Sequence, residues 1–370
     1  MILINAKLVD GTFCLKKADI EIQDGRIVRL EDKIAYKESD LVVDCEGYTI
    51  VPGFVDVHVH GGAGADTCDA DAEGLRNMAK FLLTKGVTSF CPTTMTVSNE
   101  DIAKTLAVVK ECMQDEGSNI VGVNMEGPFI SAKKKGAQGD EFIQAPNFEV
   151  FKKFYDDCGG IIKLVDIAPE CDESGAFIEQ AKKLCTVSIA HTAANYDEAK
   201  DAFEKGITHA THLFNAMAGL SHREPGVVGA VFDTPSVAGE LICDGIHIHP
   251  AVVRHVFQVM PERVCVISDA MRLSGMGDGE GMLGVNLVTV KDGKATLEDG
   301  TIAGSVTNMH DELKNLVAWG IPLEKAIRAM TLNPAKQIGM DDEIGSLAVG
   351  KRADLVVLDE NLEIAAVYHE

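Results

Sequence analysis

Residues 187–213 read VSIAHTAANYDEAKDAFEKGITHATHL, and this stretch decides the fold. A short β-branched run, Val187–His191, precedes a segment with helical spacing of its apolar residues, Asp197–Lys205. A second short apolar run, Thr208–Leu213, follows after a glycine. Two such runs around one amphipathic segment predict a strand–helix–strand unit, which connects neighbouring parallel strands in α/β proteins.

The same alternation extends in both directions along the chain. The short apolar runs are Phe54–His58, Val87–Thr93, Ile120–Glu126, Ile161–Ile167, Val187–His191, Thr208–Leu213, Ala238–Cys243 and Val264–Asp269. Helical spacing is found in Ala72–Lys85, Glu100–Gln114, Phe148–Asp157, Gly175–Leu184, Asp197–Lys205, Ala251–Met260, Asn308–Trp319 and Leu323–Leu332. Eight alternations over about 280 residues favour an α/β fold of the (β/α)8, TIM-like barrel type over an open doubly wound sheet.

Both ends of the chain differ from this middle. The first fifty residues and the segment Ile344–Tyr368 consist of short strand-like stretches separated by turn signals. We therefore expect a small β-sandwich domain formed by residues 1–52 and 344–370, and a barrel formed by residues 53–343. Within the barrel, Glu280–Ile302 is predicted to be an inserted hairpin after the eighth strand.

The composition and net charge of the chain limit which classes of partner are expected. The 370 residues include 34 Lys and Arg against 57 Asp and Glu, which gives a net charge of −23. Such a field repels nucleic acid and anionic membranes, so neither is expected as a partner, and an anionic substrate must meet a local group of cations. The sequence has no apolar run long enough for a membrane span, no signal-peptide pattern at its start and no Cys-x-x-Cys pair among its ten cysteines. We expect a cytoplasmic protein with reduced thiols.

Residues that end the strands are the candidates for chemistry, because barrels carry their active sites at the carboxyl ends of the strands. Five of the eight ends offer imidazoles or carboxylates that can bind a metal. These candidates are His58, His60, Glu126, His191, His212 and Asp269. Each alone can be a hydrogen-bonded core residue, a polar strand end or a helix cap. The joint pattern is more informative, because neighbouring strand ends ring one cavity.

Three of these positions allow a finer statement. In His58-Val59-His60 the alternate residues of a strand point to one side, so both imidazoles can face a common ion. Asp269, at the mouth and close to a metal, would stay ionised and is predicted to transfer a proton.

His209 lies three residues before His212, and we expect it to face solvent or the helix layer. The run 133–135, Lys-Lys-Lys, is either a solvated face or a gate for an anion.

Several longer motifs together resemble one known family. They are PGFVDVHVHGG, NMEGPFISAKKKGA, SIAHTAANYDEA, THLFNAMAGLSHREPGVVGA, DGIHIHP, VISDAM, IAGSVTNM and GSLAVGKRADLVVLD. As a set they resemble the N-acetylglucosamine-6-phosphate deacetylases of the amidohydrolase superfamily, over essentially the whole chain. The paired histidines or the final motif alone would indicate only the superfamily.

This resemblance implies a metal site at the strand ends. Glu126, His191 and His212 match the positions that hold one divalent metal in the family. Because this chain keeps His58 and His60, it resembles the members that bind two ions, with Glu126 or Asp269 as the bridging group. The expected cofactor is one or two divalent ions per subunit, Zn or Fe foremost, with Mn and Co also compatible with these ligands. Asp269 would act as the general acid and base.

The resemblance also implies how the substrate is held. An amino-sugar phosphate would be bound through Asn215, the backbone of Ala216, Arg223, His247 and Arg254. Members of the family are often homodimers in which the neighbouring subunit supplies part of the phosphate site. Gln138 departs from the pattern, because some members have His there, facing the acetyl carbonyl. A glutamine can donate a hydrogen bond to that carbonyl but cannot carry charge.

The implied activity is the metal-dependent hydrolysis of N-acetyl-D-glucosamine 6-phosphate to D-glucosamine 6-phosphate and acetate. The sequence leaves three alternatives open. The substrate can be the galactosamine epimer, since only contacts to the sugar hydroxyls would differ. A dihydroorotase-like ring opener would need a modified lysine at the end of the fourth strand, whereas Lys163 lies near its start. A non-enzymatic scaffold would have degraded ligand positions, and here all of them are filled.

Overall fold

The computed structural model describes residues 1–172 and 174–369. Its strands are β1 (Ile2–Val9), β2 (Leu15–Gln23), β3 (Arg26–Glu31), β4 (Val42–Asp44), β5 (Thr49–Pro52), β6 (Phe54–Val59), β7 (Gly61–Gly62), β8 (Ala65–Asp66), β9 (Val87–Pro92), β10 (Asn119–Ile120), β11 (Val123–Met125), β12 (Ile162–Ile167), β13 (Thr186–Ile189), β14 (His209–Ala210), β15 (Ala238–Leu241), β16 (Val264–Val266), β17 (Gly279–Leu283), β18 (Asn286–Lys291), β19 (Lys294–Thr296), β20 (Leu355–Leu358) and β21 (Ile364–Tyr368). Its α-helices are α1 (Ala72–Thr84), α2 (Asn99–Cys112), α3 (Phe148–Asp157), α4 (Ala176–Ala181), α5 (Tyr196–Lys205), α6 (Gly226–Phe232), α7 (Pro250–Val259), α8 (Met309–Ala318), α9 (Leu323–Met330) and α10 (Leu332–Gln337). Short 3-10 helices span Thr67–Asp69, Ala132–Lys134, Asp140–Phe142 and Pro169–Cys171.

The eight predicted barrel strands are all present, and they pair in parallel. Strands β6, β9 and β10 are neighbours in one sheet, and β11 to β16 follow one another in a second sheet. A parallel bridge between Thr93 and Asn124 joins the two sheets. The backbone N–H of Asp269 donates to the carbonyl of His58 at 2.9 Å, which connects the end of the last strand to the first. The predicted TIM-like barrel is confirmed.

Burial explains why these strands read as continuous apolar runs. All six residues of β6 and all six of β9 are buried, as expected for parallel strands covered by helices on the outside. The helices bury one face each. In α1 that face consists of Leu75, Met78, Ala79 and Leu82, and the side chain of Asp71 caps the first turn by accepting from two backbone N–H groups.

The helices differ from the prediction in three places. Helix α6, Gly226–Phe232, was not predicted, because its sequence GVVGAVF combines two glycines with three valines, which are poor helix formers. Five of its residues are buried, so packing rather than propensity stabilises it. Helix α4 is shorter than the predicted segment, and α10 is a separate helix after α9.

Strands from both ends of the chain form a single seven-stranded sheet. Its order is β21-β20-β5-β1-β2-β3, with β4 also paired to β1. The sheet has an apolar cluster of its own that includes Leu3, Leu8, Ile20, Ile50 and Leu355. The two ends are thus joined through β5 and β20, which pair antiparallel.

The insertion after the eighth barrel strand is larger than a hairpin. Strands β17, β18 and β19 form a three-stranded antiparallel sheet. The side-chain amide of Asn286, on β18, donates to the carbonyl of Ala137 at 2.9 Å. The insertion therefore contacts the loop that follows β11. All ten cysteines are free thiols. Among the helices of the described residues, none combines the length and the apolar character that crossing a membrane requires.

Candidate metal centre and active-site cleft

The carboxyl ends of the barrel strands open into a cleft of about 550 Å³. Six of the predicted metal-binding and catalytic residues lie in its wall: His60, Glu126, Gln138, His191, His212 and Asp269. His58 lies behind them and is fully buried. The volume of the cleft is in the range of small-molecule sites. Candidate residues from five different strand ends therefore lie in or beside one cleft.

Two groups of three residues can each hold a metal ion. One group, the HxH triad, is His58, His60 and Glu126; the other, the inner triad, is Glu126, His191 and His212. Within each triad the three ligand atoms lie within 4.8 Å of one another. Glu126 belongs to both triads: its Oε1 lies 3.0 Å from His191 Nε2 and 3.1 Å from His212 Nε2, and its Oε2 lies 3.3 Å from His60 Nε2.

The outer nitrogens of three of these histidines face hydrogen-bond acceptors. His191 Nδ1 lies 2.9 Å from the carbonyl of Lys134, His60 Nδ1 lies 3.3 Å from that of Thr93, and His58 Nδ1 lies 3.0 Å from a carboxylate oxygen of Glu240. A carbonyl or a carboxylate accepts only, so each Nδ1 must donate, and a neutral ring then keeps its Nε2 lone pair free.

Those Nε2 atoms converge on one another and on the Nε2 of His212, whose Nδ1 is buried and has no hydrogen-bond partner among the described residues. His58 and His60 bring them to 3.3 Å, and His191 and His212 bring them to 3.1 Å. Two unprotonated ring nitrogens at such a distance repel unless a cation lies between them. Imidazole nitrogens with one shared carboxylate are a donor set that suits a divalent transition metal, so the residues present fit such an ion.

The electrostatics of the cleft also favour cations. Burial alone would raise the pKa of Glu126, but the surrounding imidazoles, His191 first, hold it well below its usual range. Burial opposes a proton on His60, yet hydrogen bonds with Asp269 and Glu126 raise its pKa to about 10. The carboxylates therefore draw positive charge onto the site, and a bound metal would take the place of those protons.

The chain adopts an uncommon backbone conformation at three of the strand ends. His191, His212 and Asp269 have φ of 43°, 29° and 47°. Left-handed backbone is costly for residues other than glycine and is concentrated at functional sites. This turn directs each side chain back over the mouth of the barrel.

Asp269 and Gln138 lie next to the triads. Asp269 Oδ1 is 3.2 Å from His60 Nε2 and 3.7 Å from His58 Nε2. The amide oxygen of Gln138 accepts from the backbone N–H of Thr96 at 2.7 Å, and its nitrogen donates to Glu126 Oε2 at 2.5 Å. Gln138 is thus fixed in orientation, and its second N–H is left for another acceptor.

The predicted phosphate residues divide into two groups. Asn215, Ala216 and His247 line the cleft, and His247 Nδ1 lies 2.8 Å from Asp244 Oδ2. Arg223 and Arg254 are exposed and do not line it. The three lysines at 133–135 do line the cleft, which places cations at its rim.

The prediction for His209 is wrong about solvent, and one acidic residue was missed. His209 is fully buried: its Nε2 lies 2.9 Å from Glu240 Oε1, and its Nδ1 lies 3.3 Å from Gln337 Oε1 at the end of helix α10, so the helix contact that the prediction allowed is present. Glu240 was not singled out from the sequence. An acidic residue inside the apolar run Ala238–Cys243 was the available signal, because a buried carboxylate is costly unless it is compensated.

Lys163 lies far from these groups. It is the second residue of β12 and lines a groove with Thr186 and Thr208, near the starts of the next two strands. The amino ends of barrel strands are opposite the cleft, so Lys163 cannot serve as a ligand there.

The pattern of the Amidohydrolase family matches residues 49–369. The chain belongs to the amidohydrolase family. The N-acetylglucosamine-6-phosphate deacetylase of Bacillus subtilis (strain 168) is 35% identical over 373 residues, which cover 98% of this chain and 94% of that enzyme. The resemblance inferred from the motifs is thereby confirmed.

Solved structures of similar proteins agree over the full chain. N-acetylglucosamine-6-phosphate deacetylase from Pasteurella multocida has a TM-score of 0.94 at 30% identity and covers 100% of this chain and 97% of its own. A mutant N-acetyl-D-glucosamine-6-phosphate deacetylase from Mycobacterium smegmatis, in complex with N-acetyl-D-glucosamine-6-phosphate, has a TM-score of 0.94 at 33% identity, with the same coverage of 100% and 97%.

Proposed function

We propose that this protein removes the acetyl group of N-acetyl-D-glucosamine 6-phosphate, giving D-glucosamine 6-phosphate and acetate. The observation that carries the proposal is the pair of triads sharing Glu126 at the floor of the cleft, with Asp269 beside them. Relatives of this name that match nearly the whole chain support the choice of substrate. The filled ligand positions disfavour a non-enzymatic scaffold, and the place of Lys163 disfavours a dihydroorotase-like enzyme.

The cofactor is one or two divalent ions per subunit, with Zn or Fe the first candidates and Mn and Co alternatives. Glu126, His191 and His212 would hold one ion, and His58, His60 and Glu126 the other, with Asp269 at the edge of the second. When bound, a divalent ion supplies Lewis acidity, which polarises a carbonyl and makes water more acidic.

Asp269 moves the proton in this proposal. Its carboxylate accepts a proton from the water whose oxygen attacks the acetyl carbon. It then gives that proton to the amide nitrogen as the carbon–nitrogen bond breaks, because an amide anion is too basic to leave. Gln138, held by Thr96 and Glu126, directs its remaining N–H toward the carbonyl oxygen and offsets the developing negative charge.

The phosphate is recognised at the rim of the cleft. Asn215, the backbone of Ala216 and His247 supply donors from the same chain. Arg223 and Arg254 are exposed, so in this proposal Arg223 reaches the phosphate site of a second copy in a homodimer. A guanidinium offers paired hydrogen bonds to phosphate oxygens, which suits that role.

The organisation of the chain belongs to the same proposal. In this proposal residues 1–52 and 344–370 form a small β domain, built on the single seven-stranded sheet rather than on the two packed sheets of the expected sandwich, and residues 53–343 form the catalytic barrel. The protein acts in the cytoplasm, without nucleic-acid or membrane partners, which fits free cysteines and a net charge of −23.

The test measures acetate release together with bound metal. The purified, metal-loaded protein is assayed with the 6-phosphates of N-acetylglucosamine and N-acetylgalactosamine. We expect acetate release from the gluco epimer, lost on chelation and restored by a divalent metal. A preference for the galacto epimer would change the substrate, and no release from either one at full metal content would refute the proposal.

A further inference from the structure

Glu240, on β15, is a buried carboxylate that the proposed reaction does not use. Its side chain is fully buried, and its two oxygens meet three nitrogen atoms. Oε2 lies 3.0 Å from His58 Nδ1 and 3.0 Å from the backbone nitrogen of His212, and Oε1 lies 2.9 Å from His209 Nε2. These partners offset the cost of burying a charge.

The first contact acts on the HxH triad. Because the ionised carboxylate of Glu240 only accepts hydrogen bonds, His58 must donate from Nδ1. Its Nε2 lone pair then faces His60 Nε2, at 3.3 Å, and Glu126. Without Glu240 nothing in the described part of the chain holds His58 in that tautomer.

The second contact acts on the inner triad. His212 has a φ of 29°, a conformation that is costly for a histidine. Its N–H donates to the same oxygen, Oε2, that faces His58. The carbonyl of Glu240 also accepts from the N–H of Leu213 at 2.9 Å. Two hydrogen bonds therefore hold the turn that carries His212 to Glu240.

We propose that Glu240 is a positioning residue that couples the two triads. Glu240 sets the tautomer of His58 in one triad and the backbone conformation of His212 in the other. The contact between His209 Nε2 and the other carboxylate oxygen of Glu240 holds the Glu240 side chain in place. The inference rests on the proposed function only in taking the triads as sites for divalent cations.

The test compares two variants of Glu240 with a matched control. Glu240→Gln keeps the shape and can still accept from His58 and His212, but it loses the charge, whereas Glu240→Leu removes every side-chain hydrogen bond. The control is Asp166→Asn. Asp166 is also a fully buried barrel carboxylate, but its hydrogen bond comes from the hydroxyl of Thr211 at 2.9 Å and not from a triad residue.

Zinc alone is titrated into each metal-free full-length protein, and the histidine tautomers are read by long-range ¹H–¹⁵N NMR. We expect about tenfold weaker binding of the HxH-side zinc in Glu240→Gln, up to about 100-fold in Glu240→Leu, and no change in Asp166→Asn. His58 should gain an Nε2–H population in Glu240→Leu.

Wild-type zinc affinity with an unchanged His58 tautomer in Glu240→Leu would overturn the proposal. If that variant does not fold, wild-type affinity in Glu240→Gln would overturn it instead, because a neutral amide holds the Nδ1–H of His58 less strongly than a carboxylate does. An equal loss in Asp166→Asn would also overturn it, because any buried carboxylate would then have the same effect. Acetate release by the wild-type protein tests the proposed function separately, so the two can fail independently.

Discussion

Glu126 is the residue on which both triads depend. Its two oxygens face three histidine nitrogens at 3.0 to 3.3 Å, and it is the one carboxylate that the triads share. No other acidic group among the described residues replaces it in either triad.

Glu126→Gln should abolish tight metal binding and activity together, because the amide removes the charge that offsets either ion. Substitution of outer-shell partners costs about 10–100-fold in metal affinity, so a shared ligand should exceed that loss. Elemental analysis after gel filtration measures it. Glu312→Gln is the control, because Glu312 is also fully buried but belongs to neither triad, and burial raises its pKa well above its usual range. Full metal occupancy with wild-type turnover in Glu126→Gln would refute the assignment.

Asp269→Asn should leave the fold and the inner-triad metal in place while proton transfer is lost. General acid–base groups contribute about 10²–10⁴-fold, so kcat should fall by that factor. Steady-state acetate release at measured metal content gives the answer. A fall of less than tenfold with unchanged metal would remove Asp269 from the mechanism.

Residue patterns predicted which side chains converge better than they predicted the residues that hold those side chains in place. His58, His191 and His212 could be found because strand ends converge at one mouth of a barrel. Glu240 and His209 could not be placed, because their role depends on contacts across the barrel that the order of residues along the chain does not contain. The same applies to the left-handed turns at the strand ends, which ordinary-looking sequences adopt under tertiary constraint.

At the scale of elements, β6 supplies both histidines of the HxH triad. Alternation along an extended chain was sufficient to predict that His58 and His60 face one point, and their Nε2 atoms lie 3.3 Å apart. Element boundaries were less predictable. The third barrel strand is broken into β10 and β11, and α6 forms from residues whose propensity is against it.

The double variant His58→Asn, His60→Asn should retain about one equivalent of metal and measurable activity. The inner triad keeps all three of its ligands, whereas the HxH triad loses two neutral nitrogens. Metal stoichiometry of the variant and of the wild type, prepared side by side, decides this. Protein without any metal would show that the HxH pair belongs to a single joint site.

At the scale of the whole molecule, the net charge of the protein constrains how the substrate is recognised. With a net charge of −23, the protein repels a dianionic sugar phosphate, so recognition depends on a few cations at the cleft. The sequence composition indicated that local cations are required for binding the phosphate. It did not indicate that Arg223 is exposed and does not line the cleft of its own chain.

Arg223→Ala should lower kcat/KM for the phosphorylated substrate by about 30-fold, equivalent to about 2 kcal/mol, and hardly affect plain N-acetylglucosamine. Both substrates are assayed on the wild type, the variant and Arg29→Ala, which removes a positive charge from β3 in the terminal sheet. Equal losses on both substrates would show that Arg223 supports the fold or the acetamide pocket.

Leu355→Ala should lower the free energy of unfolding by about 2–5 kcal/mol while activity persists below the transition, because Leu355 is fully buried between strands from both chain ends. Leu41→Ala, at a side chain 66% exposed, should change it by less than about 0.5 kcal/mol. Urea denaturation of both variants provides the comparison. Equal stability of the two would mean that the terminal sheet unfolds independently of the transition being measured.

The pairing of β5 with β20 has a consequence for synthesis on the ribosome. Pro52 is paired with Leu355, so the N-terminal strands are translated long before the strands that complete their sheet. Until then the edge of β5 presents unpaired N–H and carbonyl groups, the kind of edge that templates aggregation. Barrel strand β6 waits in the same way, because its second neighbour is the last barrel strand, whose end is joined to it by the hydrogen bond from the N–H of Asp269 to the carbonyl of His58. The nascent chain therefore exposes two open edges, at β5 and β6, until its C-terminal part is translated.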